Sequence, residues 1–171
     1  DRLHNLVFYD QLTGLLNQNG LAQQVAQSIE TKQTHGNEFA LILLDIKRYS
    51  IIKSGFGHAL SNRLIVEAAE RLKQATNSSL TPARIGENIF AILWRSLNNL
   101  NDIQEHVEQS LQLLEPPFQL DEITVSSTTA VGIALSTLPY LEPDDFFQAA
   151  DTAMQIAKHQ KRNDFVIFDI Q

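Results

Sequence analysis

Three groups of polar residues in this chain have the types and spacing to do chemistry. Asp45 ends the apolar run 39–44, and carboxylates are the groups that hold metal ions in phosphoryl transfer. Glu87 is the only carboxylate in the three-residue segment between two short strand-like runs. A basic cluster near the end of the chain suits one phosphate group better than a nucleic-acid duplex. It comprises Lys158, His159, Lys161 and Arg162.

Each of these groups also has a purely structural interpretation. Asp45 is then a solvent-facing aspartate that ends a strand. Lys158 and Arg162, four residues apart near a helix end, then complement the helix dipole and stay solvated. His58 is best interpreted as structural, because the five histidines show no spacing typical of metal ligands.

The elements that carry these residues predict an α+β fold, with helices flanking a mixed central β-sheet. Residues 1–8 have the pattern of the end of an incoming helix. The run 39–44 is continuously apolar, as expected for a central strand covered on both faces. Gly132 lies inside a predicted strand, where it marks close backbone approach. The other predicted elements are helices at 21–29, 59–75, 103–114 and 143–157, a hairpin of strands 83–85 and 89–94, and strands at 123–135 and 165–168.

Composition restricts the classes of function. The chain has 171 residues, 43% of them hydrophobic, which is enough for one domain with a full core. Its net charge of -7 argues against binding a nucleic-acid polymer, and no apolar run reaches membrane-spanning length. The chain has no cysteine, no initial methionine and no signal-peptide pattern. We therefore expect a cytoplasmic domain excised from a longer protein.

The segment Arg84-Ile85-Gly86-Glu87-Asn88-Ile89-Phe90 resembles the signature of the GGDEF family, the diguanylate cyclase domains. In that family the seven places hold Arg, any residue, Gly, Gly, Asp or Glu, Glu, and Phe. The resemblance runs through the whole chain and implies a nucleotide-cyclase or palm-like fold, with the domain at 9–171 after a linker helix at 1–8. The other matching motifs, in the family's order, are Tyr9–Asn17, Asp45–Tyr49, Gly57-His58, Thr128–Ala134 and Ala150–Asn163.

The resemblance implies that the signature has lost its chemistry. Active members condense two GTP molecules with metal ions held by carboxylates, but here the two acidic places are Asn88 and Ile89. Glu87 replaces the second glycine and puts bulk and negative charge there. Asp45 remains as a lone candidate metal ligand, whose partner would lie at the position of Ile89. We predict that Lys47 pairs with Asp45 and replaces the missing cation.

The positions that the resemblance implies for nucleotide recognition have also changed. The guanine-contacting asparagine and aspartate fall at Lys53 and Asn62, and lysine has no acceptor while a neutral amide cannot bracket the guanine donors. The family's inhibitory product site, Arg-x-x-Asp, falls on Asn77-Ser78-Ser79-Leu80, which carries no charge. Lys158 and Arg162 match the pair that contacts GTP phosphates, so they are the residual phosphate-binding candidates.

These departures predict a catalytically inactive, degenerate GGDEF domain that acts as a regulatory or interaction module in bacterial cyclic-di-GMP signalling, with no cofactor. Segment 116–121 resembles GGDEF domains that are followed by an EAL phosphodiesterase-type domain. The expected partners are therefore EAL and sensor domains of the same chain, a second copy of the domain, or another protein. The alternative is an allosteric domain that binds GTP with Mg and does not turn it over. An active cyclase is the third interpretation.

Overall fold

The computed structural model describes residues 2–75, 79–160 and 165–169, with a nine-residue strand at the centre of the sheet. This strand, β1 (Glu38–Ile46), is buried at every position after Glu38. It pairs antiparallel with β3 (Ile89–Leu97) on one side and with β6 (Thr129–Leu135) on the other. The outer strands are β2 (Leu80–Arg84), antiparallel to β3, and β7 (Phe165–Ile167), parallel to β6. The predicted mixed central sheet is therefore confirmed.

Alternate residues of β1 face two layers of helices, which explains why the whole strand is apolar. Ile42 and Leu44 belong to one buried cluster, and Leu41 and Leu43 belong to the other. The first layer contains α3 (Tyr49–Phe56), α4 (His58–Lys73) and α5 (Ile103–Leu114), and the second contains α2 (Gln18–His35) and α6 (Pro143–Lys158). The predicted incoming helix is α1 (Arg2–Phe8). Within the described residues, no helix is both long and apolar enough to cross a membrane.

Helix α6 lies directly against β6 at Gly132. A Cβ added to Gly132 would be 2.1 Å from the carbonyl oxygen of Ala150 and 2.2 Å from the amide nitrogen of Met154. These are backbone atoms of the helix, so any larger residue would push α6 away from the sheet. The predicted close approach at Gly132 is confirmed, and it fixes where the C-terminal end of α6 meets the sheet.

The single strand predicted at 123–135 is wrong, because the structure divides this segment. Residues Ile123–Val125 form β5, which pairs with β4 (Phe118–Leu120) in a separate two-stranded hairpin. Asp121 adopts φ 57° in the turn between them, a conformation that aspartate tolerates better than most residues. The chain then leaves β5 and joins the main sheet only at Thr129. A run of β-branched residues does not reveal which partner each part will pair with.

The short helix α3 was not predicted from the sequence. It connects the end of β1 to α4 and ends at Gly57, which adopts φ 86°. Its sequence contains two adjacent isoleucines and a glycine, residues of modest or low helix propensity. Ile52 and Tyr49 are buried in the layer that contains α4. Tertiary packing therefore stabilises α3 although its residues have a low preference for helix.

Candidate functional site

The end of β1 and the turn before β3 meet around Asp45. In the sheet Asp45 lies opposite Ile89, and the amide of Ile46 donates to the carbonyl of Asn88 at 3.0 Å. The Asp45 residue is only 2% exposed. It is therefore not a solvent-facing strand end, and its charge needs partners within the protein.

Asn88 supplies the first of these partners. Its side-chain amide donates to Asp45 Oδ1 at 2.7 Å and to the carbonyl of Ile46 at 3.3 Å. Ile89, where the sequence analysis placed the lost acidic partner of Asp45, instead packs with the apolar cluster on the side of α2 and α6. The side chain that reaches Asp45 from the hairpin of β2 and β3, hereafter the hairpin, is therefore that of Asn88.

Lys158 supplies the second partner, and the predicted pair of Asp45 with Lys47 is wrong. The ammonium of Lys158, at the end of α6, forms an ion pair with Asp45 Oδ2 without a well-directed hydrogen bond. Lys47 Nζ makes its contact with the carbonyl of Gln160, at 3.4 Å. The reason is that β1 ends at Ile46, so the alternation of side chains along a strand no longer applies to Lys47.

A second ion pair joins α3 to the hairpin. Lys53 Nζ donates to Glu87 Oε1 at 2.9 Å, with the two side chains 32% and 66% exposed. The hydrogen bond from Glu87 raises the pKa of Lys53, and the hydrogen bond from Lys53 lowers the pKa of Glu87. Sequence reasoning judged these two residues separately. Both residues differ from those that the family has at these positions, and their charges are opposite. That combination was a signal that the two side chains form a pair.

Arg84 ties the hairpin to the turn after α1, a role that the sequence analysis missed. Arg84 Nη2 donates to the carbonyl of Glu87 at 2.7 Å, and Nη1 lies 3.3 Å from Asp10 Oδ1. Asp10 also accepts hydrogen bonds from the amide and the hydroxyl of Thr13, at 3.0 and 2.7 Å. The charged groups at the base of the hairpin are thus neutralised internally.

The remaining predicted site residues lie as follows. Asn62 is half-buried on α4, and Phe90 is fully buried in β3. Arg162 and the residues Asn77 and Ser78 of the inhibitory-site segment lie outside the described residues. The sequence-predicted phosphate pair is therefore represented by Lys158 alone, and this lysine is engaged with Asp45.

The donor set around Asp45 does not fit a magnesium ion. Magnesium requires oxygen ligands in octahedral geometry, and it is usually bound by one or two carboxylates together with substrate phosphates. Here an amide nitrogen donor and an ammonium contact the single carboxylate. Across the described part of the chain, no three histidine or acidic side chains lie close enough together to hold a metal.

Known proteins resemble this chain in sequence and in structure. Residues 7–164 match the family model described as "Diguanylate cyclase, GGDEF domain". The chain is 28% identical over 167 residues to the bifunctional diguanylate cyclase/cyclic di-GMP phosphodiesterase MucR of Pseudomonas aeruginosa, a match that covers 98% of this chain and 24% of MucR. It is 29% identical over 155 residues to the diguanylate cyclase TpbB of the same species, covering 90% of this chain and 36% of TpbB.

The structural comparison agrees with the sequence comparison. The solved GGDEF domain of TpbB superposes with a TM-score of 0.86 at 27% identity, and the match covers 94% of each chain. The α+β architecture with a mostly antiparallel central sheet is therefore that of the solved GGDEF domains. This chain spans well under two thirds of the length of MucR and of TpbB.

Proposed function

Because this chain belongs to the GGDEF family of diguanylate cyclase domains, we propose that it is a member without cyclase activity that serves as a regulatory or interaction module. Its relatives include proteins of cyclic-di-GMP signalling, among them the bifunctional cyclase and phosphodiesterase MucR. The proposed role is to transmit or receive a signal within that kind of system. The domain itself makes no cyclic-di-GMP.

The observation that carries the proposal is the internal neutralisation of Asp45. Its carboxylate is buried, one oxygen accepts from Asn88, and the other faces the ammonium of Lys158. A metal ion would have to displace Lys158 and would find an amide in place of a second carboxylate. Without a metal to neutralise the triphosphate, phosphoryl transfer loses its main electrostatic stabilisation.

The Lys53–Glu87 pair supports the same proposal at the position of base recognition. The resemblance implies that in an active member a nucleotide contacts the position of Lys53 and closely approaches the hairpin. Here the two positions bond directly to each other at 2.9 Å. Binding guanine would require this bond to break, and the freed ammonium offers no acceptor to the guanine donors.

We propose further that neighbouring domains of a longer chain are the partners of this module. Helix α1 ends just before Asp10, which pairs with Arg84, so a sensor or linker upstream would be connected to the hairpin through α1 and this ion pair. The similarity to MucR, which is named as both a cyclase and a phosphodiesterase, supports the proposal of a downstream EAL phosphodiesterase-type domain. The proposed location of such a protein domain is the cytoplasm.

The test incubates the dimerised domain with GTP and Mg. Chromatography and mass spectrometry then measure whether cyclic-di-GMP is formed. TpbB, named as a diguanylate cyclase, is the positive control. We expect no cyclic-di-GMP from this chain while TpbB forms it. Product that disappears in Asp45→Ala would overturn the proposal.

The alternative of a GTP-binding allosteric domain rests on Lys158 with Arg162. The pairing of Lys158 with Asp45 weighs against it, because phosphate would compete with a buried carboxylate for the same ammonium. Titration calorimetry with GTP and Mg separates the two functions. The alternative would be established by a heat of GTP binding that is lost in Lys158→Ala but kept in Lys47→Ala. Lys47 is a suitable control because it is a nearby lysine without this ion pair.

A further inference from the structure

A groove with two adjoining cavities lies beside the hairpin, on the face of the sheet covered by α2 and α6. The larger cavity has a volume of about 500 Å³ and the smaller about 300 Å³, and both are lined by Gln18 and Ile85. One wall is the hairpin, and the other two are the start of α2 and the outer side of α6. We call this feature the hairpin groove.

The smaller cavity of the hairpin groove has an apolar floor, whereas mostly polar residues line the larger cavity. Ile85, Ile89 and Phe147 line this floor, and Leu43 of β1 lies at its base. Ile89 is half-buried, so part of its side chain faces the opening. This isoleucine stands where the family signature has an acidic residue, and the substitution replaces a charge with apolar surface. Apolar surface in a concave site favours a ligand that carries an apolar side chain.

The α6 side of the groove is acidic. Asp144 lines the larger cavity and Asp151 the smaller, and both are exposed. Neither forms an ion pair with any residue in the described ranges. The groove's cation, Arg84, is already paired with Asp10. Seven residues along a helix correspond to about 10.5 Å, so the two carboxylates, of which Asp151 accepts a hydrogen bond from Gln155 at 3.4 Å, are about two turns apart on one side of α6.

We propose that the hairpin groove binds an amphipathic basic helix of a partner protein or domain. Two cationic side chains seven positions apart match the spacing of Asp144 and Asp151, because both helices have the same rise per residue. An apolar residue midway between those cations then meets Ile89 and Phe147. This inference rests on the proposed interaction role and gives the chemical class of its partner.

The probe for the test is a fluorescein-labelled synthetic helix with two arginines seven positions apart and two leucines midway between them. Its binding to the full 171-residue chain is followed by fluorescence anisotropy at low ionic strength. The test variant is Asp144→Lys/Asp151→Lys. The matched control is Glu142→Lys/Asp145→Lys, which makes the same change in charge at the same helix with exposed residues that do not line the groove.

We expect the peptide to bind the wild-type chain and the control variant with similar affinity. The test variant should bind at least about tenfold more weakly, because two attractions become two repulsions. Ile89→Asp should also weaken binding, since it places a charge in the apolar floor. A second peptide with both arginines replaced by glutamate should not bind.

Three results would overturn the inference. The first is no binding at about 1 mM peptide. The second is an equal loss of peptide affinity in the test and control variants. The third is a second copy of the chain in the groove, seen in sedimentation as a wild-type dimer that the test variant, but not the control, converts to a monomer. None of these bears on the absence of cyclase activity, which the GTP assay tests separately. Failure of the groove to bind is thus distinguishable from failure of the proposed function.

Discussion

Asp45 is a buried carboxylate whose two oxygens meet different partners, and its environment explains how the fold tolerates it. Burial of an unpaired charge costs several kcal/mol, and that cost is reduced here by one amide donor and one ammonium. Lys158 is 33% exposed, so it keeps part of its hydration while it neutralises Asp45. Groups of the chain itself therefore neutralise Asp45 at the strand end.

We expect Lys158→Ala to lower the free energy of unfolding by about 2 kcal/mol at pH 7, because it leaves Asp45 buried with Asn88 as its remaining partner. Lys47→Ala is the control, and its effect should stay within about 0.5 kcal/mol, since the hydrogen bond that its ammonium makes among the described residues is long. Urea unfolding measures both. Adding Asp45→Asn to Lys158→Ala should recover most of the loss, because the buried charge is then gone. Equal losses for the two lysines would contradict this account.

The Lys53–Glu87 pair predicts a dependence of stability on pH. The lowered pKa of Glu87 means that its ionised form stabilises the fold above the ordinary glutamate pKa, and this is lost as the pH falls through the lowered value. The raised pKa of Lys53 gives stabilisation that is lost as the pH rises through the raised value. The pair therefore contributes most near neutral pH.

Urea unfolding of the wild type and Glu87→Gln, from pH 7 down to about pH 2, tests this dependence. The wild type should have the higher midpoint at pH 7, and the difference should vanish at the acid end. The pair is exposed, so added salt should reduce the difference. In a Lys53→Met background the same substitution should show a smaller pH-dependent difference, because only the weaker attractions of Arg84 and His58 then lower the pKa of Glu87. A difference that stays constant with pH would rule out the pair as its source.

At the scale of elements, the packing of α6 on β6 positions Lys158. Gly132 permits this packing because a side chain would collide with backbone atoms of Ala150 and Met154. Sequence reasoning identified Asp45, Lys158 and Gly132 separately. It could not join Asp45 to Lys158, because their contact depends on the docking of a helix 113 residues further along the chain.

Gly132→Ala should destabilise the domain by about 3 kcal/mol, since the new methyl group forces α6 outward. Gly55→Ala is the matched control. It lies in α3 with no atom within 4 Å of the added Cβ, so it should be neutral or slightly stabilising. Thermal unfolding of the two variants measures the contrast. A similar transition temperature for both would show that α6 accommodates the methyl group at little cost.

The elements predicted well are those whose pattern is local. The central strand follows from its apolar run, α2 from the four-residue spacing of its apolar residues, and α6 from Pro143 at its start, although α2 extends beyond the predicted 21–29 to Gln18–His35. The hairpin β4–β5 and helix α3 were not predicted, because their existence depends on burial against α4. The same holds for the candidate site. Its residues could be identified from the sequence, but the partner of each residue could not.

At the scale of the whole molecule, the residues that depart from the family pattern lie on different elements. Lys53 is on α3, Asn62 is on α4, and Glu87 and Asn88 lie between β2 and β3. Two of these residues, Lys53 and Glu87, bond to each other across elements, and Asn88 bonds to the retained Asp45. The side chains at the candidate site therefore bond to one another, and the proposed loss of cyclase activity does not rest on the signature alone.

This distribution predicts that restoring the signature does not restore catalysis. In Glu87→Gly/Asn88→Asp/Ile89→Glu the hairpin regains its acidic pair, but Lys53 loses its partner and remains a cation where guanine donors would lie. We expect no cyclic-di-GMP from this variant with GTP and Mg, although its thermal unfolding should remain cooperative. Adding Lys53→Asn and Asn62→Asp then supplies the base contacts. Product from the triple variant would show instead that the signature alone had been limiting.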